Sequence, residues 1–419
     1  MTKRIKIMTI SDVPLSSSGV ALQTKYMIEA LLKTGKFEVV SLGGAIKHRS
    51  YQPIRTEEYK DLWTIFPVDN FGNPDIIRSY IRNEKPDILW FMTDPRFYVW
   101  LWQMEDEIRP LLPMVYYHVW DNYPYPTFNK GYYESTDVIA TISKVTDDIV
   151  KTVAPSVESL YLPHAVDPTI FKPMSQSDIA DNRKENFDGW KNDKFLFFWN
   201  NRNARRKMSG SLIWWFKEFL DEVGHDKACL LMHTDPKDQN GPNLVAIADE
   251  LGLTEGQVIF SRNKISMNDM ALMYNMADCT FNIADAEGFG LSQLESLSCA
   301  TPTITSMTGG LQEQVTDGEN WFGIGIEPAS KAIIGSQLVP FIYEDRICKE
   351  DFIAACKTMF NKDKKELKKM GQDGYQHVQK NYNFGNFTNK WIVLMQDVYD
   401  RHGSWDTRKN YKSWTVKEF

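Results

Sequence analysis

Long apolar runs are missing from this chain of 419 residues. No segment approaches the roughly 18 apolar residues that a membrane span needs. The basic first residues are followed by a strand-like segment and not by the apolar centre of a signal peptide, so we expect a cytoplasmic protein. No C-x-x-C pair occurs, which favours buried thiols over disulfides or zinc ligands for Cys229, Cys279, Cys299, Cys348 and Cys356.

Two nucleotide-binding motifs are also missing. No G-x-G-x-x-G follows the first predicted strand, and the chain has no G-x-x-x-x-G-K-[ST]. A dehydrogenase and a P-loop ATPase are therefore disfavoured. The net charge of -7 argues against a surface built generally for nucleic acid, although a local basic groove stays compatible with it.

Apolar strands and amphipathic helices alternate in two series, which predicts an α/β protein with two doubly wound, Rossmann-like domains facing a cleft. We expect an acceptor domain over residues 1–165 and a donor domain over 166–383. Residues 384–419 are predicted to form a C-terminal helix and tail that pack back on the first domain. The hinge is expected between Leu162 and Pro173, where prolines interrupt the pattern. A ligand of such a fold binds between the domains, at the carboxyl ends of the strands.

The segment EGFGLSQLE, from Glu287 to Glu295, carries the strongest chemical information. A strand-like run precedes it, and the apolar spacing predicts a helix from about Leu291. The backbone amides of Gly288, Phe289, Gly290 and Leu291 would then lie at a helix N-terminus, which binds phosphate or sugar oxygens.

The spacing of the two carboxylates argues against hydrolysis. Eight helical residues rise roughly 12 Å, whereas the paired carboxyl groups of glycosidases lie about 5 to 9.5 Å apart. One long ligand held at two points, such as a nucleotide sugar, fits better.

The ordered set of motifs resembles the retaining glycosyltransferases of family four, the group that includes glycogen synthase and mannosyltransferases. Its E-x7-E pattern matches Glu287 and Glu295, and the elements that follow match Pro302, Ile304, Gly309, Gly310, Glu313 and Val315. The resemblance implies the GT-B fold and a nucleotide-diphosphate sugar, most simply a UDP-sugar such as UDP-glucose, as donor. In that reading Glu287 holds the transferred sugar and Glu295 holds the ribose.

The resemblance also implies roles elsewhere in the chain. Arg202 and Lys207 would hold the donor diphosphate, although Asn201 and Met208 stand where the family usually has glycine. Gly19, in the loop after the first strand, would face the phosphate or the acceptor, and His118 would contact the transferred sugar. Four further residues have weaker assignments: Arg205 and Arg206 as surface or acceptor contacts, Asp121 as a partner of His118 or the acceptor, and His164 as structural.

No D-x-D occurs, so neither a metal nor another cofactor is expected, and cations would neutralise the diphosphate instead. Short runs such as NNRNARRK are similar to glycosyltransferases of tailed phages, which favours hydroxymethylated DNA as the acceptor and host cytoplasm as the location. Polysaccharide, lipid and protein acceptors stay open, as do a sugar phosphorylase, a nucleotide-sugar epimerase and a silent binding protein. A monomer or a homodimer is expected.

Overall fold

The first domain of the computed structural model, which describes residues 3–187 and 194–412, is built on an 8-stranded sheet. Its strand order is β3-β4-β2-β1-β5-β6-β7-β8, and every pairing is parallel except that of β3 with β4. The strands are β1 (Ile5–Asp12), β2 (Phe37–Gly44), β3 (Ile54–Arg55), β4 (Trp63–Pro67), β5 (Ile88–Met92), β6 (Met114–His118), β7 (Val138–Thr141) and β8 (Glu158–Tyr161). The helices are α1 (Gly19–Lys33), α2 (Pro74–Glu84), α3 (Val99–Trp102), α4 (Glu105–Ile108), α5 (Lys130–Glu134) and α6 (Lys144–Val153).

The second domain contains a 6-stranded parallel sheet of order β11-β10-β9-β12-β13-β14. Its strands are β9 (Phe195–Asn200), β10 (Ala228–His233), β11 (Val258–Ser261), β12 (Cys279–Asn282), β13 (Thr303–Ser306) and β14 (Gly323–Ile326), and β15 (Ser330–Ile334) and β16 (Ile342–Arg346) form a separate antiparallel hairpin. The helices are α7 (Gln176–Asn186), α8 (Ser209–Val223), α9 (Leu244–Glu250), α10 (Met267–Met276), α11 (Leu291–Ser298), α12 (Gln312–Val315), α13 (Lys349–Phe360) and α14 (Lys364–Asn381), and α15 (Phe384–His402) follows this domain in sequence.

Both sheets are doubly wound, as the alternation of elements predicts. The direction of winding reverses between β1 and β5 in the first sheet and between β9 and β12 in the second. Such switch points leave a crevice at the carboxyl ends of the strands. The loops after these four strands line one common cleft between the domains.

Local sequence explains where the main helices begin. Ser18 caps α1 through a hydrogen bond from the amide of Ala21, and Asn73 caps α2, where Pro74 takes the first helical position. The strand β1 is buried along nearly its whole length, because helices cover both faces of a parallel sheet.

Helix α15 packs on the first domain, although it follows the second in sequence. The ring of its Trp391 contacts Trp90 and Tyr117 at centroid distances of 5.9 and 4.9 Å. The tail beyond residue 412 lies outside the described residues. Among the helices that are described, none combines the length and apolar character that crossing a membrane requires.

All five cysteines are free thiols. Four are buried, in agreement with the prediction from their sequence surroundings. Cys348 is only half-buried and caps α13 by accepting a hydrogen bond from the amide of Asp351.

Candidate active site

A cleft of about 930 Å³ separates the two sheets, and both domains line it. The first domain contributes the start of α1 and the loops after β5 and β6. The second contributes the loops after β9 and β12, the start of α11 and the tip of the β15–β16 hairpin. The sequence-predicted residues that line the cleft are Gly19, Asp121, His164, Arg202, Arg205, Arg206, Glu287, Gly288, Phe289, Gly290, Leu291 and Glu295.

The N-terminus of α11 opens into this cleft. Gly290 precedes the helix with φ of 91°, a left-handed conformation that a glycine adopts without strain. Within the described part of the chain, the backbone amides of Gly288, Phe289 and Gly290 donate to no other residue. These amides and the helix dipole make a site for an anion. The side chain of Phe289 is buried against His164 and Tyr382, so the residue offers the cleft mainly its backbone.

Two cations contact the carboxylate of Glu287. The ammonium of Lys207 donates a hydrogen bond to its Oε2, and Nη1 of Arg206 lies 3.6 Å from the same oxygen. Burial and the charge of Arg206 lower the pKa of Lys207 well below its usual value, whereas Asp121 opposes that shift. The contact with Glu287 itself favours the protonated ammonium. The carboxylate of Glu287 is therefore held by two basic side chains.

The two predicted diphosphate ligands differ in position. Arg202 lines the cleft with a side chain that is 66% exposed, and its Nε donates to Oδ2 of Asp238 at 2.7 Å. The side chain of Lys207 is only 10% exposed and lies beneath Glu287, so it does not line the cleft. Arg206, which the sequence analysis assigned to the surface or the acceptor, lines the cleft beside Glu287.

The loop keeps a glycine-like shape in spite of its departures from the family pattern. Met208 has φ of 56° and ψ of 25°, the left-handed conformation that glycine adopts readily. Asn201, at the other departure, lines the cleft and has a buried side-chain amide nitrogen without a partner among the described residues.

Glu295 lies in the second turn of α11. Because the helix begins only at Leu291, the rise of roughly 12 Å that assumed eight helical residues does not apply to the whole segment. The Oε2 of Glu295 accepts a hydrogen bond of 2.7 Å from the hydroxyl of Tyr274. Burial raises the pKa of Glu295 to about 7, and the bond from Tyr274 limits the rise. The carboxylate is thus held in one orientation at the wall of the cleft.

His118 does not line the cleft, contrary to the sugar contact that the resemblance implies. It ends β6 but is fully buried, and its Nε2 lies 2.7 Å from the hydroxyl of Tyr133. Burial lowers its pKa to about 3, so the imidazole is neutral. His164, predicted to be structural, does line the cleft, and its Nδ1 lies 2.7 Å from the hydroxyl of Tyr117.

The two domains touch at Gly19. A Cβ atom at this position would lie 2.7 Å from Cδ1 of Leu291, the first residue of α11. The N-termini of α1 and α11 therefore face each other across the narrow part of the cleft. Asp121 also lines the cleft, and burial raises its pKa to about 6 while Arg206 opposes the rise.

The β15–β16 hairpin is a part of the site that the sequence analysis missed. Its Glu344 accepts hydrogen bonds from Arg205 at 2.6 Å and from Arg346 at 3.1 Å. The backbone amide of its Tyr343 donates to the carbonyl of Tyr123 in the first domain. Its strands are short and lack the apolar alternation that marks a half-buried strand.

No group of three or more histidine, cysteine, aspartate or glutamate side chains is arranged to hold a metal ion within residues 3–187 and 194–412. Among the cations named above, Arg202, Arg205 and Arg206 line the cleft, where they can meet an anionic ligand.

Comparison with solved structures places the chain among GT-B folds. Sucrose-phosphate synthase from Thermosynechococcus elongatus superposes with a TM-score of 0.75 over 95% of this chain and 100% of that one, at 16% identity. Anabaena HepE, solved in complex with UDP and glucose, superposes with a TM-score of 0.69 over 94% of this chain and 100% of its own, at 15% identity. The protein has the GT-B fold.

The sequence comparisons concern shorter stretches. Residues 192–337 match the family described as glycosyl transferases group 1, so the second domain carries the sequence pattern of that group. D-inositol 3-phosphate glycosyltransferase of Mycobacterium sp. strain KMS is 41% identical over 76 residues, which is 18% of this chain. The match spans only 17% of that relative's length.

Proposed function

We propose that this protein is a retaining, metal-independent glycosyltransferase of group 1 that uses a nucleotide-diphosphate sugar, with a UDP-sugar as the simplest donor. One observation carries the proposal. The carboxylate of Glu287 is bound by Lys207 and Arg206 and lies next to the N-terminus of α11. It lines the cleft that is formed by the loops at the switch points of both sheets.

The donor would lie along α11. Glu295 would accept hydrogen bonds from the ribose hydroxyls, because its carboxylate is fixed by Tyr274 at the cleft wall. The diphosphate would bind the amides at the start of the helix together with Arg206 and Arg202. The transferred sugar would then lie beside Glu287, whose carboxylate accepts hydrogen bonds from sugar hydroxyls.

The charges suit the bond that breaks. Negative charge grows on the β-phosphate as the sugar leaves, and positive charge grows on the sugar ring. Fixed cations and helix amides stabilise the negative charge on the phosphate, and the Glu287 carboxylate stabilises the positive charge on the sugar ring. These groups are oriented by the fold before the reaction, so little reorganisation is needed.

Retention of configuration would follow from attack on the same face that the phosphate leaves, with a phosphate oxygen accepting the acceptor proton. The C–O bond to the acceptor forms as the C–O bond to the phosphate breaks, and the nucleoside diphosphate departs carrying the proton. Glu287 is a poor nucleophile here, because Lys207 and Arg206 both contact its Oε2 and hold the carboxylate in place.

For the acceptor we propose a compact polyhydroxylated molecule. The cleft wall is of mixed charge: Asp94 pairs with Arg96, Glu344 pairs with Arg205, and Asp121 also lines the cleft. Such a wall suits a small polar molecule better than a polyanion such as hydroxymethylated DNA, whose base would also have to be flipped out of the stack. The partial match to an enzyme named for D-inositol 3-phosphate points the same way.

The test combines donor and acceptor screens. Thermal shift with UDP, GDP, ADP and their glucose or mannose derivatives should select one nucleotide. Polyol phosphates, glycans, lipids and hydroxymethylcytosine DNA should then be incubated with that donor, and mass spectrometry should show the addition of a hexose to one of them. NMR of the product should show an α-glycosidic linkage when the donor is α-configured, as retention of configuration requires. Product formation that requires free phosphate would indicate a phosphorylase, and donor conversion without acceptor an epimerase.

A further inference from the structure

Glu313 joins the two domains at a position that is not part of the cleft lining. It lies in α12 of the second domain and is only 8% exposed. Its Oε2 accepts a hydrogen bond of 2.6 Å from the backbone amide of Lys144, the first residue of α6 in the first domain. Its Oε1 accepts one of 2.5 Å from the hydroxyl of Tyr161, at the end of β8. A carboxylate of one domain is therefore bound by two donors of the other.

Residues of the second domain bind the backbone carbonyl of Glu313. The hydroxyl of Tyr382, which follows α14, donates to the Glu313 carbonyl at 2.8 Å and lies 3.3 Å from Oε1. The Nε2 of His377 lies 3.0 Å from that carbonyl. The backbone of Glu313 is thus fixed in the second domain, while its carboxylate is bound by the first domain.

A groove of about 630 Å³ surrounds this contact. The first domain lines the groove only through Lys144 and Tyr161, the two residues that bind Glu313, in the part of the chain that the structure describes. The carboxylate also lies at the N-terminus of α6, where the helix dipole favours a negative charge. The polar contact between the domains on this side is concentrated in one side chain.

A short segment leads from Glu313 back to the proposed sugar site. The amide of Gly310 donates to the carbonyl of Glu287 at 3.0 Å. A Cβ atom on Gly310 would lie 2.6 Å from the carbonyl oxygen of Gly288, so the two loops touch through their backbones. The side chain of Gln314, next to Glu313, donates to the carbonyl of Phe289 at 2.6 Å. The loop that carries Glu287 therefore rests on the segment that Glu313 ties to the first domain.

We propose that Glu313 is a positioning residue that couples the closed arrangement of the two domains to the placement of the Glu287 loop. The inference rests on the proposed transfer reaction. When Lys144 and Tyr161 bind the Glu313 carboxylate, α12 is held against the first domain, and Gly310 and Gln314 hold the Glu287 loop in place. When the domains separate, this support is lost and the loop is less well fixed against a sugar bound by the second domain.

The test removes, one at a time, two tyrosine hydroxyl groups that contact the Glu313 carboxylate. Tyr161→Phe removes one of the two bonds by which the first domain binds the carboxylate. Tyr382→Phe removes the bonds to the carbonyl and Oε1 of Glu313 and a contact with the Tyr161 hydroxyl, but it leaves both bonds from the first domain to the carboxylate in place. Glu313→Gln is the third variant. For each we would measure kcat at saturating donor, UDP affinity by calorimetry, Tm, and the radius of gyration by small-angle X-ray scattering.

Tyr161→Phe and Glu313→Gln should lower kcat by about tenfold with UDP affinity within about twofold of wild type, and should increase the radius of gyration. Tyr382→Phe should lower Tm without increasing that radius and keep kcat within about twofold. Equal losses of kcat in the two tyrosine variants, or an unchanged radius of gyration for Glu313→Gln, would overturn the proposal. The scattering comparison needs no substrate, so an absence of binding of UDP, GDP and ADP to the wild type would refute the proposed function and leave the domain contact testable.

Discussion

The ammonium of Lys207 donates a hydrogen bond to the carboxylate of Glu287, a residue 80 positions further along the chain. The first belongs to the loop after β9 and the second to the loop after β12, and these neighbouring strands form the switch point of the second sheet. The buried ammonium of Lys207 therefore holds, from beneath the cleft wall, the carboxylate that we propose to face the transferred sugar.

Lys207→Ala tests this pairing. The substitution removes the side chain that holds the Glu287 carboxylate from beneath, so the carboxylate is no longer fixed beside the transferred sugar and kcat should fall on the order of 10²-fold. Steady-state kinetics at saturating donor measures it. The control is Arg202→Ala, whose exposed side chain pairs with Asp238 and whose loss should mainly raise the KM of the donor. Near-normal turnover of the Lys207 variant would contradict the assignment.

Glu287→Gln preserves the shape of the side chain but removes its charge. We expect a strong fall in kcat, because the developing positive charge on the sugar loses its partner, and unchanged affinity for the free nucleoside diphosphate. Calorimetry and kinetics on the same preparation decide it. Glu319→Gln, at an exposed loop position, is the matched control and should behave as wild type. A loss of diphosphate affinity in the Glu287 variant would mean that the donor is bound in the reverse direction.

Glu295 predicts a pH-dependent affinity for the nucleotide. The pKa of this carboxyl is raised to about 7 by burial, and the ionised form is the better acceptor for ribose hydroxyls. UDP affinity should therefore rise as pH increases through 7 and weaken by about tenfold per unit well below it. Glu295→Gln should weaken binding by roughly 1–3 kcal/mol at pH 8 and remove this component of the pH dependence. An identical profile in the variant would exclude Glu295 from the ribose site.

The same shift makes a prediction about folding. A carboxyl whose pKa rises from 4.5 to about 7 on folding binds more protons in the native state, so the stability from this group falls as pH rises from 4.5 to 7. Above pH 7 the buried charge is destabilising in full. Glu295→Gln should consequently have a higher Tm than wild type at pH 8, with the difference shrinking towards pH 4.5. A lower Tm for the variant at pH 8 would show that the carboxylate stabilises the fold.

Removal of divalent metal should leave activity nearly intact. The expectation rests on the absence of D-x-D and on Arg202 and Arg206, which line the cleft, as alternative positive charges. Activity in excess EDTA, compared with activity after added Mg²⁺ or Mn²⁺, measures it. Loss of turnover in EDTA that Mg²⁺ restores would assign the charge neutralisation to a metal ion.

The sequence by itself determined the features that follow from short local motifs or from the spacing of hydrophobic residues. Alternating strands and helices predicted two doubly wound domains, because hydrophobic periodicity follows directly from the geometry of each element. The glycines after Glu287 predicted a turn and a helix start, and Gly290 and α11 confirm both. Such signals need no knowledge of distant contacts.

The tertiary structure decided what depends on residues far apart. The surroundings of each cation between Arg202 and Lys207 depend on residues from distant loops. Arg202 pairs with Asp238, and Lys207 is buried against Glu287. His118 is withdrawn from the cleft because Tyr133, from another element, binds it in the core. The β15–β16 hairpin and the reach of Glu313 to Lys144 and Tyr161 are long-range contacts as well. Burial and charge pairing arise only when the chain is folded, and no local pattern in the sequence encodes them.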